Sequence, residues 1–192
     1  MKPNSEDIRI VEALIFSSEK PLSVEEINSL VGDILSCPAE IAMEALSHRL
    51  ENTDSALSLR RIAGGFRLMT REDLFLILRK LKLRENQTKL SQAALEVLSI
   101  ISYRQPVTRP DIQAVRGVNS DGVLRGLMEK KLVTIVGRSK KAGRALLYGT
   151  TSEFLEYFGL NSIEDLPSLK EIQKIAERDG EISIEEDFNE AQ

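Results

Sequence analysis

Few residues in this 192-residue chain have the chemistry of a reactive centre, and their number and spacing decide which chemistries are open. His48 is the only histidine and Cys37 the only cysteine. The nitrogen and sulfur ligands that zinc takes are therefore missing, and no metal site is expected. One cysteine also excludes an intramolecular disulfide. A nucleophilic triad would have to use His48, which stands between Glu44 and Glu51 in a helical stretch. Nucleophile, base and orienting group would all have to converge there, and a charged helix face explains the histidine better. Tyr103, in a polar helix-end segment, could look reactive but reads as a half-buried structural tyrosine. Gly64-Gly65 lacks the lysine and hydroxyl that follow in a phosphate-cradling loop, so it reads as a hairpin turn. These residues predict no catalysis, no cofactor and no small-molecule substrate.

What remains is charge. Residues 1–88 carry 12 basic and 14 acidic side chains, residues 89–150 carry 11 and 4, and residues 151–192 carry 3 and 12. The balances of −2, +7 and −9 add to the net −4. Arg138, Lys140, Lys141 and Arg144 concentrate the positive charge in a short polar loop, where they could neutralise phosphates of a nucleic-acid backbone. From about Lys174 onward the chain is acidic and poor in aromatics, the composition of a disordered tail.

The elements that position these groups come in two copies. Ile15, Ser17, Pro21, Ile27 and Gly32 recur as Ile100, Ser102, Pro106, Ile112 and Gly117, with Leu22/Val107, Ser23/Thr108 and Glu26/Asp111 between them. Each copy starts with an amphipathic stripe, Ile8, Val11 and Ile15 or Leu95, Leu98 and Ile101. Pro21 and Pro106 stop those helices. Ser23 with Glu26, and more weakly Thr108 with Asp111, form capping boxes for a second helix, and Pro110 is tolerated in its first turn. Gly32 and Gly117 suit the left-handed residue that closes it. Third helices are expected from about Pro38 to Leu50 and from about Asp121 to Lys131. Each is followed by alternating sequence that reads as a hairpin. The first has Leu57–Ile62, Ala63-Gly-Gly and Phe66–Met69. The second has Val133–Val136, a loop from Gly137 to Gly143, and Ala145–Tyr148. Apolar helices over Asp73–Leu81 and Glu153–Phe158 complete the copies.

This order predicts a mainly α protein with small β-hairpins (α+β), arranged as two tandem winged-helix domains over residues 1–84 and 85–167, with an acidic tail over 168–192. No apolar stretch approaches the roughly 20 residues that span a bilayer, so no membrane partner is expected. Winged-helix modules often read DNA, which makes a transcription regulator the alternative function. Glu40, Glu44 and Glu51 on the first third helix oppose it, as do Asp121 and Gly122 where base-reading side chains normally sit. Asn119 and Ser120 read as helix caps. Any DNA contact is expected to be weak or indirect, made by Arg138, Lys140, Lys141 and Arg144.

The second copy resembles a known family. Leu90-Ser-Gln-Ala-Ala-Leu-Glu-Val-Leu, Tyr103-Arg-Gln-Pro-Val-Thr-Arg, Arg116-Gly-Val-Asn and Asp121-Gly-Val-Leu-Arg are similar to segregation and condensation protein B. So are Val136-Gly-Arg, Leu146-Leu-Tyr-Gly-Thr-Thr, Phe154-Leu-Glu-Tyr-Phe-Gly-Leu and Asp165-Leu-Pro. The likeness is close from about Lys89 to Pro167 and looser before it. It implies a non-enzymatic structural subunit of the bacterial chromosome condensation and segregation complex, cytoplasmic and associated with the nucleoid. It further implies a homodimer joined by its N-terminal domains. That dimer binds the kleisin, segregation and condensation protein A, and through it the ATPase of the structural maintenance of chromosomes (SMC) complex.

Two apolar runs are candidates for those contacts. Leu74, Phe75, Leu76, Ile77 and Leu78 exceed what one helix face buries, so a second chain is expected to cover part of them. In Phe154–Leu160, the i, i+4 pair Phe154 and Phe158 is expected to pack on the hairpin. Tyr157 and Leu160 are left as the expected kleisin contacts.

Overall fold

In the computed structural model, which describes residues 3–82, 90–141, 143–168 and 170–174, helices alternate with two small antiparallel hairpins. The first half runs α1 (Ser5–Ser17), α2 (Val24–Val31), α3 (Ala39–Asn52), β1 (Leu57–Ile62) and β2 (Gly65–Thr70). A 3-10 turn over Glu72–Leu74 then leads into α4 (Phe75–Lys82). The second half repeats this order: α5 (Gln92–Arg104), α6 (Arg109–Arg116), α7 (Asp121–Glu129), β3 (Val133–Arg138), β4 (Leu146–Thr150) and α8 (Ser152–Phe158), then a 3-10 turn over Ile163–Asp165. The expected boundary at residues 84 and 85 lies outside the described residues.

Local chemistry sets the helix ends. Both expected capping boxes form, with the Ser23 N–H donating to Glu26 Oε2 at 2.8 Å and the Thr108 N–H to Asp111 Oδ2 at 2.8 Å. The Ser23 N–H holds the Glu26 carboxyl below its ordinary range, and the Thr108 hydroxyl does the same for Asp111. Gly117 closes α6 with a left-handed φ of 71°. Gly32 differs from expectation: it stays right-handed at φ −61°. A Cβ there would lie 2.4 Å from the Asn28 carbonyl oxygen, so a close approach, rather than handedness, requires glycine. Asn119 accepts from the Asp121 N–H at 2.8 Å as a cap should. Ser120 instead accepts from Arg116 at 2.9 Å.

Each half buries its own apolar core. In the first, Val11, Ile15, Ile27, Ala42, Met43, Leu46 and Leu50 meet between α1, α2 and α3. In the second, Val97, Leu98, Ile101, Ile112, Leu124, Leu127, Tyr148 and Phe154 do so. Leu95, expected on the buried stripe, is exposed, and Val97 fills the core in its place.

The hairpins follow their turns. β1 and β2 pair from Leu57↔Thr70 to Ile62↔Gly65, leaving Ala63 and Gly64 as a two-residue turn with φ of 50° and 80°. Positive φ at both positions is the requirement of a type I′ turn, whose twist matches the strands. In the second hairpin Ile135 pairs with Tyr148 and Gly137 with Leu147, so Val136 bulges out. β3 runs on to Arg138, opposite Leu146. The loop therefore starts at Ser139, two residues later than expected.

A third stretch joins each hairpin. The N–H and C=O of Leu22 exchange hydrogen bonds with Phe66 at 3.1 and 2.7 Å, and Val107 exchanges them with Tyr148 at 3.1 and 2.8 Å. The apolar residue after each repeated proline is thus a one-residue strand that ties the helices to the hairpin. Beyond the second core, Ser168 and Glu171 cap a short helical stretch over 170–174. Residues 175–192 lie outside the described residues.

Candidate partner surfaces

α8 is short, and its two aromatic faces have different fates. Thr151 caps it, accepting from the Phe154 N–H at 3.1 Å and donating to the Lys131 carbonyl at 2.5 Å. This fixes the helix against the end of α7 and drives Phe154 into the second core, where it is 2% exposed. Phe158, expected beside it, is instead 43% exposed. The helix ends at once, with Gly159 left-handed at φ 68°, and Phe158 overhangs the edge of the core. It packs on Phe154 with ring centroids 4.8 Å apart and on Tyr157 at 5.1 Å. Tyr157 is 58% exposed, and Leu160 is half-buried against the second core. Tyr157, Phe158 and Leu160 therefore form a small apolar surface at the end of α8. Sequence spacing offers Tyr157 and Leu160 as contacts and assigns Phe158 to the interior, whereas Tyr157 and Phe158 are the exposed pair and Leu160 is half-buried.

The apolar run at α4 is also open. Phe75, Leu76 and Ile77 are exposed, while Leu74 and Leu78 are half-buried. The 3-10 turn before α4 leaves three consecutive large side chains pointing outward, and no single helix face can cover all three.

The basic loop between β3 and β4 is stiffened from within. The Ser139 N–H donates to the Ala145 carbonyl at 2.8 Å, and the Lys141 N–H to Ser139 Oγ at 3.1 Å. Lys140, Lys141 and Arg144 on it, and Arg138 at the end of β3, are all exposed. Nearby, Arg109 donates to the hydroxyl of buried Tyr148 at 3.0 Å and pairs with Asp121 at 3.4 Å. Tyr148, with Asp121 adding to it, raises the Arg109 pKa, so the charge is held firmly. Asp121, at the start of α7, is thus partly neutralised by a residue of α6. Arg116 likewise pairs with Glu96 at 3.0 Å.

The chemistry-bearing residues singled out in the sequence remain scattered. His48 is exposed, with Glu51 at 3.9 Å. Cys37 is buried, and burial together with the Asp7 charge pushes its thiol pKa up. The Tyr103 hydroxyl donates to the Pro167 carbonyl at 2.7 Å. Among the described residues no group of three or more His, Cys, Asp and Glu side chains could hold a metal ion, and no helix is long and apolar enough to cross a membrane.

Residues 9–169 match the family described as segregation and condensation complex subunit ScpB. Segregation and condensation protein B of Listeria monocytogenes is 48% identical over 166 residues, covering 85% of this chain and 83% of that one. The protein of the same name from Geobacillus thermodenitrificans is 42% identical over 180 residues, covering 93% of this chain and 84% of its own. A crystal structure described as a dimer of the ScpB N-terminal domain complexed with ScpA peptide is 26% identical, covering 40% of this chain and 94% of that chain with a TM-score of 0.36. With a family match running through both helical cores and both hairpins, and relatives this similar over most of their length, the chain belongs to the ScpB family of segregation and condensation complex subunits.

Proposed function

We propose that this protein is a non-enzymatic structural subunit of the bacterial chromosome condensation and segregation complex. In this reading it binds the kleisin ScpA and, through it, the SMC ATPase, in the cytoplasm and at the nucleoid. The observation that carries it is the family match over residues 9–169. The two repeated helix-and-hairpin units are read as tandem winged-helix domains, over residues 1–84 and 85–167, used for protein contacts.

The open surfaces fit the partners this function needs. A kleisin segment that docks as an extended or folding-on-binding chain must offset its ordering cost with apolar contacts. Exposed Tyr157, with Phe158 beside it and Leu160 below, supplies them. The exposed Phe75, Leu76 and Ile77 on α4, flanked by Leu74 and Leu78, supply a face for a second copy of the chain.

The test is a pull-down with purified kleisin at physiological salt. Wild-type protein is expected to capture it, and Tyr157→Asp to weaken capture by about ten-fold or more, the loss typical of an exposed aromatic anchor. Leu160→Ala should weaken it less. Retained binding by a folded Tyr157→Asp variant would move the site elsewhere. No binding by the wild type would remove the assignment.

A further inference from the structure

Among the described residues, the turn of the first hairpin touches the second unit. The Ala63 N–H donates to the Leu160 carbonyl at 2.9 Å, and the Gly64 N–H donates to Asn161 Oδ1 at 3.1 Å. Both donors sit in the two-residue turn, beyond the last strand pair Ile62↔Gly65, so neither has a ladder partner in its own hairpin. A solvent-facing turn would give them to water. Here they go to the segment that follows α8.

The side chains around the turn complete the contact. Arg60 and Arg67 lie directly opposite each other across the hairpin, an arrangement that costs stability when both are charged. Each finds a different acid. Arg60 pairs with Glu72 of its own unit at 3.2 Å, while Arg67 pairs with Glu156 of α8 at 3.5 Å. Glu156 is only 20% exposed at its side chain. Ile62, beside the turn, is buried yet belongs to neither core.

We infer that the first hairpin is an ionic clasp: its turn grips Leu160 and Asn161 while Arg67 meets Glu156 of α8, fixing the orientation of the two units in the free protein. The contact is small and its ion pair is half-exposed, so the clasp opens reversibly and loosens with ionic strength. It acts on the same helix end that presents Tyr157, but it stands whether or not the kleisin binds there.

Amide hydrogen exchange on the full-length protein reads the clasp at its two donors. In the wild type at low salt, Ala63 and Gly64 should exchange more slowly than unprotected turn amides. Arg67→Glu should speed both by about two- to five-fold, the range of a single exposed ion pair. Arg67→Glu combined with Glu156→Arg should restore protection, and Asn161→Ala should release Gly64 more than Ala63. The Leu22 and Phe66 amides, internal to the first unit, should stay protected throughout. If Arg67→Glu unfolds that unit, Asn161→Ala, which lies outside it, is the deciding variant. Unprotected Ala63 and Gly64 in the wild type, or rates indifferent to Arg67→Glu and Asn161→Ala, would overturn the clasp.

Discussion

Asp7 shows how one side chain can tie distant segments together while looking ordinary in the sequence. It lies in the first turn of α1, where an acid favours the helix dipole and closes a capping box with Asn4, and nothing in its neighbours points beyond that turn. Yet it is 2% exposed. Its oxygens accept from the Asn4 N–H at 3.0 Å, the Ser36 N–H at 2.9 Å, the Ser36 hydroxyl and, at 3.7 Å, the Cys37 thiol. Ser36 and Cys37 sit some thirty residues downstream, a distance no local pattern can read. The Ser36 hydroxyl, then the Ser36 and Asn4 N–H groups, hold the Asp7 carboxyl below its usual 3.8. Because the folded pKa is depressed, the carboxylate contributes stability above the unfolded value and loses it as pH falls through the folded one. Asp7→Asn should therefore lower the melting temperature by several degrees near neutral pH. The gap to wild type should close as the pH drops below 3.8. Paired thermal melts from pH 7 to pH 2 check this, and a gap independent of pH would mean the carboxylate charge is not what Ser36 reads. The capping boxes at Ser23 and Thr108, by contrast, are legible because both partners lie within one turn.

At the scale of elements the sequence is most legible where a short-range rule applies and least legible at edges. The helices over Ala39–Asn52 and Asp121–Glu129 and the first hairpin fall within two residues of expectation. Alternation and a glycine turn specify the hairpin locally, and Asn119 caps the start of the helix over Asp121–Glu129. Phe158 departs from expectation because i, i+4 spacing says which residues share a face but not where the core beneath that face stops. The bridges made by Leu22 and Val107 escape detection because a one-residue strand has no period. The first bridge makes Gly65 critical. β2 starts where the chain passes Pro21 and Leu22, and a Cβ on Gly65 would lie 2.8 Å from the Pro21 carbonyl carbon and 2.9 Å from that of Leu22. Both are backbone atoms flanked by a bridge, so neither moves freely. Gly65→Ala should cost about 1–3 kcal/mol, the usual range for forcing an extra methyl group into a packed site. Urea denaturation measures it as a lower midpoint at unchanged slope. An unchanged midpoint would show that the bridge yields.

The whole molecule is organised by charge, and this limits what it can do with DNA. Residues 89–150 carry a surplus of seven positive charges between a nearly balanced first unit and a strongly acidic end. Some of its basic side chains are already held by internal partners. Arg109 is committed to Tyr148 and Asp121, and Arg116 to Glu96. Lys141 lies near enough to Asp111 to favour its charged form. The exposed charges left on the loop between β3 and β4 are few, and each neutralised phosphate contributes roughly 0.9 to the salt slope on duplex DNA. Binding should therefore be weak, with a shallow salt slope of about −3 for three phosphate contacts, and no sequence preference from α7, whose first residue is an aspartate paired to Arg109. Lys140→Glu, Lys141→Glu and Arg144→Glu together should abolish DNA retention at about 50 mM salt, with each lost contact lowering the slope by about one. Kleisin capture should be unaffected, since Tyr157 lies on a different element. A mobility shift series across salt, run beside the pull-down, separates the two. DNA affinity unchanged in the triple variant would move nucleic-acid contact off this loop. Loss of both activities would mean that the loop supports the fold of the second unit instead of a surface of its own.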